Sequence, residues 1–323
     1  MNDKALQARQ LWFVNQRLGQ FIHFNSATQQ FYNHPEIEDW EYGHENDQKP
    51  RRFPFDPLDW NPTALDCRQW AAISKSLGAK FAALTTKHHE GFCLWPTETT
   101  EHCVRNATCK RDVVAEYLAA YRDAGIEAGL YFSILDLTRG IGRRRCTQED
   151  VDYTLAQLRE LLTNYGQIPF LIIDGWNADW GGPSYEAMPF EKVDALVKSL
   201  QPECLLMNIS CESNLRHTDI VFYENAAGQE VEDGFFGPGA ACNILTNTWF
   251  WREGDAEMEL KSVDWALDKI DSMNQKNISF ILNISPNRFG VVDQNLANRM
   301  AEIGRRFQPL PPLTEAPAGF MVR

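Results

Sequence analysis

Many familiar chemical signatures are missing from this 323-residue chain. No basic run of five residues occurs, and the densest positive patch is Arg143-Arg144-Arg145. With 44 acidic against 31 basic side chains the net charge is −13. Such a field repels nucleic acid and anionic membranes and suits a small neutral or cationic substrate. No stretch approaches the ~18 uncharged apolar residues of a membrane span. The eight cysteines (Cys67, Cys93, Cys103, Cys109, Cys146, Cys204, Cys211 and Cys242) include no C-x-x-C pair, which argues against zinc knuckles and thioredoxin-type redox motifs. Scattered thiols fit a reducing compartment. The opening residues show no leader-like apolar run, so a cytoplasmic location is expected. Neither G-x-S-x-G, a P-loop nor H-E-x-x-H is found. No metal or cofactor is expected, and no oligomeric state can be read.

What is present is a repeating unit of amphipathic helix, Gly or Pro punctuation, and apolar strand. Residues 65–77 carry apolar side chains at helical spacing up to Gly78, and KFAALTT (80–86) follows as a buried strand. The unit recurs at 111–124 with a strand at 127–134, and from Thr147 to Tyr165 with a strand at 169–174. There, Thr147 and Asp150 are spaced for a capping box. It recurs again at about 186–200 with a strand at 204–210. With 20–24, 219–224, 242–248 and 278–284 the strands number eight, and the final helices fall near 259–275 and 293–307. Strands apolar throughout and alternating with helices imply a parallel sheet covered on both faces. Eight of them predict a closed (β/α)8-type, TIM-like barrel as a single domain over 1–308, followed by a Pro-rich surface tail at 309–323. Two long connections, 25–64 and 225–241, follow strands and would lie on the C-terminal face, where barrels hold their sites.

Polar or aromatic residues terminate the apolar strands: His23, Lys87-His88-His89-Glu90, Ser133 and Asp136, Asp174-Gly-Trp176, Asn208, Glu224, Trp249 and Asn283. Each, taken alone, reads as a satisfied structural group; on one barrel face they read as a site. Asp174 ends Phe170-Leu-Ile-Ile-Asp174, which places a carboxylate at the top of a buried strand. A helix cap or an arginine partner is the other reading. Cleaving a glycosidic bond needs two carboxylates, one to attack or activate water and one to protonate the leaving oxygen. Glu224 is the candidate for the second, with Glu230 and Glu232 as substitutes on the following loop. Adjacent strand residues point to opposite faces, so His88-His89 makes a poor metal pair. The histidines read as neutral donors to hydroxyls, only one of the two needing to face the site.

At these residues the chain resembles the family-29 glycoside hydrolases, the α-L-fucosidases. TKHHEGFCLWPT (86–97) resembles the family's T-K-H-H-D-G-F-x-L-W, in particular the branch acting on α-1,3/4-linked fucose. GQFIHF (19–24), residues 112–133, ELLTNYG (160–166) with IIDGW (172–176), and ILNISPNRFGVVD (281–293) resemble its other segments. The resemblance implies a retaining exo-glycosidase acting on a fucosylated oligosaccharide or glycoside through a covalent glycosyl-enzyme. By position Asp174 matches the nucleophile, and Glu224, in VFYENAAG, the acid/base. His23, His88 and His89 match residues that hold sugar hydroxyls, Asp39-Trp40 resembles a Glu-Trp pair touching the sugar, and Arg216 matches an Arg near the acid/base. Trp176 and Trp249 are further candidates for substrate contact, with core packing as the other reading. Glu90 stands where the family has Asp, Asn25-Ser-Ala-Thr replaces a Gly-containing loop, and the family's C-terminal β-sandwich has no counterpart. Another α-L-sugar of the L-galactose or L-glucose type, or a non-catalytic sugar-binding barrel, are the alternatives.

Overall fold

The computed structural model describes residues 3–38, 54–178, 181–209 and 212–321. Eight parallel strands close into a barrel in sequence order: β1 Leu18–Ile22, β2 Phe81–Lys87, β3 Glu127–Ser133, β4 Phe170–Asp174, β5 Leu205–Ile209, β6 Ile220–Glu224, β7 Gly239–Asn243 and β8 Ile278–Ile284. Closure is made by β1 and β8, with Gly19 opposite Ile281 and Phe21 opposite Asn283. The expected (β/α)8 architecture is therefore present.

Around it run α1 Asp3–Val14, α2 Ser26–Asn33, α3 Cys67–Leu77, α4 Val113–Asp123, α5 Gln148–Asn164, α6 Phe190–Leu200, α7 Val263–Gln275 and α8 Gln294–Arg306. On α3, Cys67, Trp70, Ala71, Ser74 and Leu77 are buried, the i, i+3, i+4, i+7 stripe of a helix laid against a sheet. The Thr147–Asp150 spacing closes as a full capping box at the start of α5.

Two hydrophobic layers follow from strand periodicity. Side chains of one parity face the helices; those of the other fill the barrel, among them Phe21, Tyr131, Ile172, Phe222 and Ile281. The lower end is plugged by Phe13 of α1, whose ring lies 4.9 Å from Phe81 and 5.7 Å from Phe170. Gly129 makes this packing possible, because a Cβ there would sit 2.3 Å from the Phe170 ring. Replacing a buried ring of this kind by Ala costs about 3–5 kcal/mol.

Three elements depart from expectation. The seventh strand lies at Gly239–Asn243, not 242–248; Gly239, Ala240 and Ala241 carry no β-branched signal, yet their small side chains fit between Val221–Glu224 and Ile278–Leu282. Connection 25–64 opens with α2, capped by the Asn25 side chain on the Ser26 amide. The N-terminal residues form α1, whose Gln10 donates to the Asp219 carbonyl at 2.7 Å. Beyond α8 the Pro-rich segment follows the barrel's lower surface: Asn15 exchanges two hydrogen bonds with Leu313, and Arg17 donates to the Pro311 carbonyl.

Candidate active site

The periodicity that fills the barrel also builds its mouth. Two residues beyond the interior-facing Phe21, Tyr131, Ile172, Phe222 and Ile281 lie His23, Ser133, Asp174, Glu224 and Asn283. Each keeps the inward parity of its predecessor, so five strand ends converge above the apolar interior on the C-terminal face.

Asp174 is the centre of this cluster. Its Oδ2 accepts the Tyr131 hydroxyl at 2.6 Å and lies 3.5 Å from His89 Nε2. Gly175, at φ +102°, turns the chain immediately afterwards, a backbone state that favours glycine. Burial pushes the Asp174 carboxyl up to about 6, against the pull of the Tyr131 hydroxyl and the Gly175 amide. Glu224, half-buried at the end of β6, is pushed up to about 8, first by burial and then by the negative charge of Asp174. Among the described residues no side chain donates a hydrogen bond to its carboxyl; its amide donates one to Gln229 Oε1. The two carboxylates thus sense each other, while Glu230 and Glu232 stand exposed on the loop beyond.

Three imidazoles stand at the mouth, and His89 is the one that reaches Asp174. His23 Nδ1 donates to Asn283 Oδ1 at 2.7 Å, and its ring packs on Trp249 at 4.8 Å between centroids. His89 Nδ1 lies 2.7 Å from Ser133 Oγ. His88 stacks on Tyr131 at 5.5 Å and meets Phe250 edge-on at 4.9 Å. Burial holds His23 down to about 3 and His88 well below the ordinary histidine value, so both rings are neutral at physiological pH. Both members of the His88-His89 pair therefore face the cluster, where strand alternation required only one. The cause is a register shift between Thr85 and Lys87, which ends the regular alternation before the histidines begin.

That bulge turns Lys87 outward. Its fully buried ammonium pairs with Asp136 at 3.2 Å, donates to Gln157 of α5 at 3.0 Å and lies over the Phe132 ring. Lys87 belongs to the barrel–helix layer, not the mouth. Glu90 is likewise committed: its carboxylate accepts from Ser26, the Phe92 amide, Thr138 and His102 at 2.8–3.1 Å.

Two other expected contacts are not met. Trp176 is buried in the outer layer, its indole N–H on the Met188 carbonyl at 2.7 Å and its ring stacked beside Tyr185. The chain turns at Gly175, so the next side chain leaves the mouth. Arg216 is exposed, its amide held by Asn214 on the loop before β6, and no described contact takes its side chain to Glu224. Trp249 is half-buried against His23, as a wall of the cluster. Asp39 and Trp40 lie outside the described residues. Tyr131 went unremarked in sequence because a tyrosine inside an apolar strand reads as core; its position opposite Ile172, one layer below Asp174, was the available signal.

An eight-stranded parallel barrel with two interacting carboxylates and a ring of imidazoles at its C-terminal mouth defines the class to which this molecule belongs. The α-L-fucosidase family model matches residues 1–308, and the chain is a member of that family, glycoside hydrolase family 29. It is 30% identical over 265 residues to α-L-fucosidase 1 of Arabidopsis thaliana, covering 74% of this chain and 50% of that protein. It is 34% identical over 205 residues to human plasma α-L-fucosidase, covering 56% and 42%. Among solved structures, α-L-fucosidase isoenzyme 1 from Paenibacillus thiaminolyticus superimposes with a TM-score of 0.75 at 25% identity, over 93% of this chain and 75% of that one. A glycoside hydrolase 29 family member from a rumen bacterium gives 0.73 at 27%, over 92% and 56%. The chain spans about half the length of the curated relatives it matches.

Proposed function

We propose that this protein is a retaining α-L-fucosidase that releases terminal fucose from a fucosylated glycoside, with Asp174 as nucleophile and Glu224 as acid/base. The observation carrying the reading is the unequal environment of the two carboxyls. Asp174 is held by a hydroxyl and an amide that stabilise its anion, whereas Glu224 has only burial and a neighbouring negative charge, which favour its acid form. A pair pushed apart in this way holds one attacking anion and one proton donor at neutral pH.

In the first step Asp174 Oδ attacks the anomeric carbon, the bond from that carbon to the glycosidic oxygen breaks, and the Glu224 proton passes to the departing oxygen. In the second, water attacks the same carbon, gives its proton to Glu224, and frees the sugar and the Asp174 carboxylate. Neutral His23 and His88, with Trp249 as a wall, make a site for an uncharged, hydroxylated ring. Family membership supports fucose, and a structural neighbour, a Bacteroides thetaiotaomicron α-L-fucosidase, was trapped as a covalent intermediate with 2-fluoro-fucosyl fluoride.

The test is hydrolysis of aryl α-L-fucoside, α-L-galactoside and α-D-glycosides by wild type and Asp174→Asn. Turnover of the α-L-fucoside, reduced by several orders of magnitude in the variant, is expected. Cleavage of another α-L-sugar alone would keep the mechanism and change the substrate; undiminished turnover by Asp174→Asn would remove the nucleophile. For Glu224→Ala, natural fucosides should suffer more than aryl fucosides, whose leaving groups need no protonation.

A further inference from the structure

Two imidazoles at the mouth are gripped at Nδ1 by groups whose own hydrogens are already committed to backbone carbonyls. Asn283 Nδ2 donates to the Trp249 carbonyl at 2.8 Å, which turns Oδ1 toward His23 Nδ1 at 2.7 Å. A carboxamide oxygen has no hydrogen to give, so the ring nitrogen must donate. Ser133 repeats the device with a hydroxyl. Its single hydrogen goes to the Leu135 carbonyl at 2.9 Å, so Oγ can only accept from His89 Nδ1 at 2.7 Å. In both places the proton on Nδ1 is fixed by a backbone carbonyl one residue removed, and Nε2 becomes the nitrogen whose state can change.

We infer that Asn283 and Ser133 are positioning residues that lock His23 and His89 as Nδ1–H tautomers, so that His23 presents an Nε2 lone pair to the ligand and His89 presents Nε2 to Asp174. For His23, Nε2 has no protein partner among the described residues. Among the described residues the titratable groups facing its ring are His88 and Tyr131, at 6.1 and 6.3 Å, and Phe21, Trp249 and Phe250 pack around it. None supplies a charge that would protonate it, and burial keeps it neutral. A sugar hydroxyl meeting His23 therefore donates its hydrogen, the reverse of the polarity expected from sequence. For His89, Nε2 stands 3.5 Å from Asp174 Oδ2, so any proton it gains lies against the carboxylate. The ligand's identity rests on the fucosidase reading; the tautomers belong to the free protein.

The experiment is 15N NMR of histidine-labelled protein near neutral pH, with His23 and His89 assigned through His23→Gln and His89→Gln. Wild type should show protonated Nδ1 in both rings and unprotonated Nε2 in His23. Asn283→Leu should convert His23 to a tautomer mixture, and Ser133→Ala should do the same for His89. Asn283→Asp keeps the acceptor and adds a charge, so His23 should become cationic in mildly acidic solution. On an aryl α-L-fucoside this variant should raise KM severalfold more at pH 5 than at pH 7, with kcat moving less. Ser133→Ala should raise KM roughly five- to tenfold, the weight of about one hydrogen bond, and Ser133→Thr should recover most of it. An Nε2–H tautomer for His23 in wild type, or an unchanged spectrum in Asn283→Leu, overturns the inference even where fucoside is hydrolysed. The expected spectra in a protein that cleaves no fucoside uphold it and sink the substrate reading alone.

Discussion

Removing one oxygen atom from Tyr131 should move the acid limb of the pH–rate profile. The phenol donates to Asp174 Oδ2 at 2.6 Å, inside the barrel and out of reach of bulk water. A hydrogen bond to a charged partner contributes about 1.5–3 kcal/mol. Each pKa unit corresponds to about 1.4 kcal/mol. Tyr131→Phe should therefore raise the Asp174 carboxyl by roughly one to two units above its present value of about 6. The phenyl ring preserves the contacts with Phe21 and His88, so the change isolates the hydroxyl. Attack needs the anion, so kcat/KM should fall about ten- to a hundredfold at pH 5–6 and less toward pH 8. The basic limb, set by the Glu224 proton near 8, should shift far less, so the bell narrows. Because the two carboxyls interact, the limbs are properties of the pair. The assay is kcat/KM for an aryl α-L-fucoside between pH 4.5 and 9. An acid limb in the wild-type position, with a uniform loss at every pH, would refute the argument, since the hydroxyl would then bind substrate and not tune Asp174.

Further outcomes can be checked by thermal unfolding. Glu224→Gln should stabilise the protein: a carboxyl with a folded pKa raised from 4.5 to about 8 destabilises the fold increasingly as pH rises through that interval, so the gain in Tm should be larger at pH 8 than at pH 5. An equal or greater gain at pH 5 would contradict it. Lys87→Met leaves Asp136 buried and uncompensated, at a cost of about 3–5 kcal/mol; Asp136→Asn in the same chain should recover part of that, and strict additivity of the two substitutions would show that the pair does not interact. Glu90→Asp shortens a carboxylate whose four partners all lie within 3.1 Å, so it should lower stability by about 1–3 kcal/mol. Unchanged Tm would mean that the surrounding loops close up around the shorter side chain.

The barrel was legible because its signal is repeated. Four helix–strand pairs carry the same apolar stripe and punctuation, and strand-end polarity marked the mouth. What escaped lay where a local signal opposes the tertiary role. Gly239-Ala-Ala241 carries little strand propensity, but a short, narrow strand is what the space between β6 and β8 admits. α2 buries Ser26, Thr28, Gln29 and Gln30, so its inward face is largely polar and hides the helical period. Trp176 was attractive beside Asp174, yet sequence adjacency says nothing of direction once Gly175 reverses the chain. Tyr131 escaped for the opposite reason: its ring belongs to the core and only its oxygen belongs to the site.

Lys87-His88-His89-Glu90 shows why a contiguous motif need not be one site. The strand ends in a bulge, so these four consecutive side chains reach different partners. Lys87 goes out to Asp136 and Gln157, His88 onto Tyr131, His89 to Ser133 and Asp174, and Glu90 to Ser26, Thr138 and His102. The outer two are buried ionisable groups, and each is hydrogen-bonded to several partners, as the cost of burying charge demands. They fix the backbone on either side of the histidines. The Lys87 ion pair ties it to the loop after β3, and Glu90 ties it to the start of α2, whose Phe31 packs against Phe250. The histidines between them are thereby held in place. His89 Nδ1 is given to Ser133 and the His88 ring lies flat on Tyr131. The tandem is a device for placing two rings beside one carboxylate, with its charged flanks serving as the clamps.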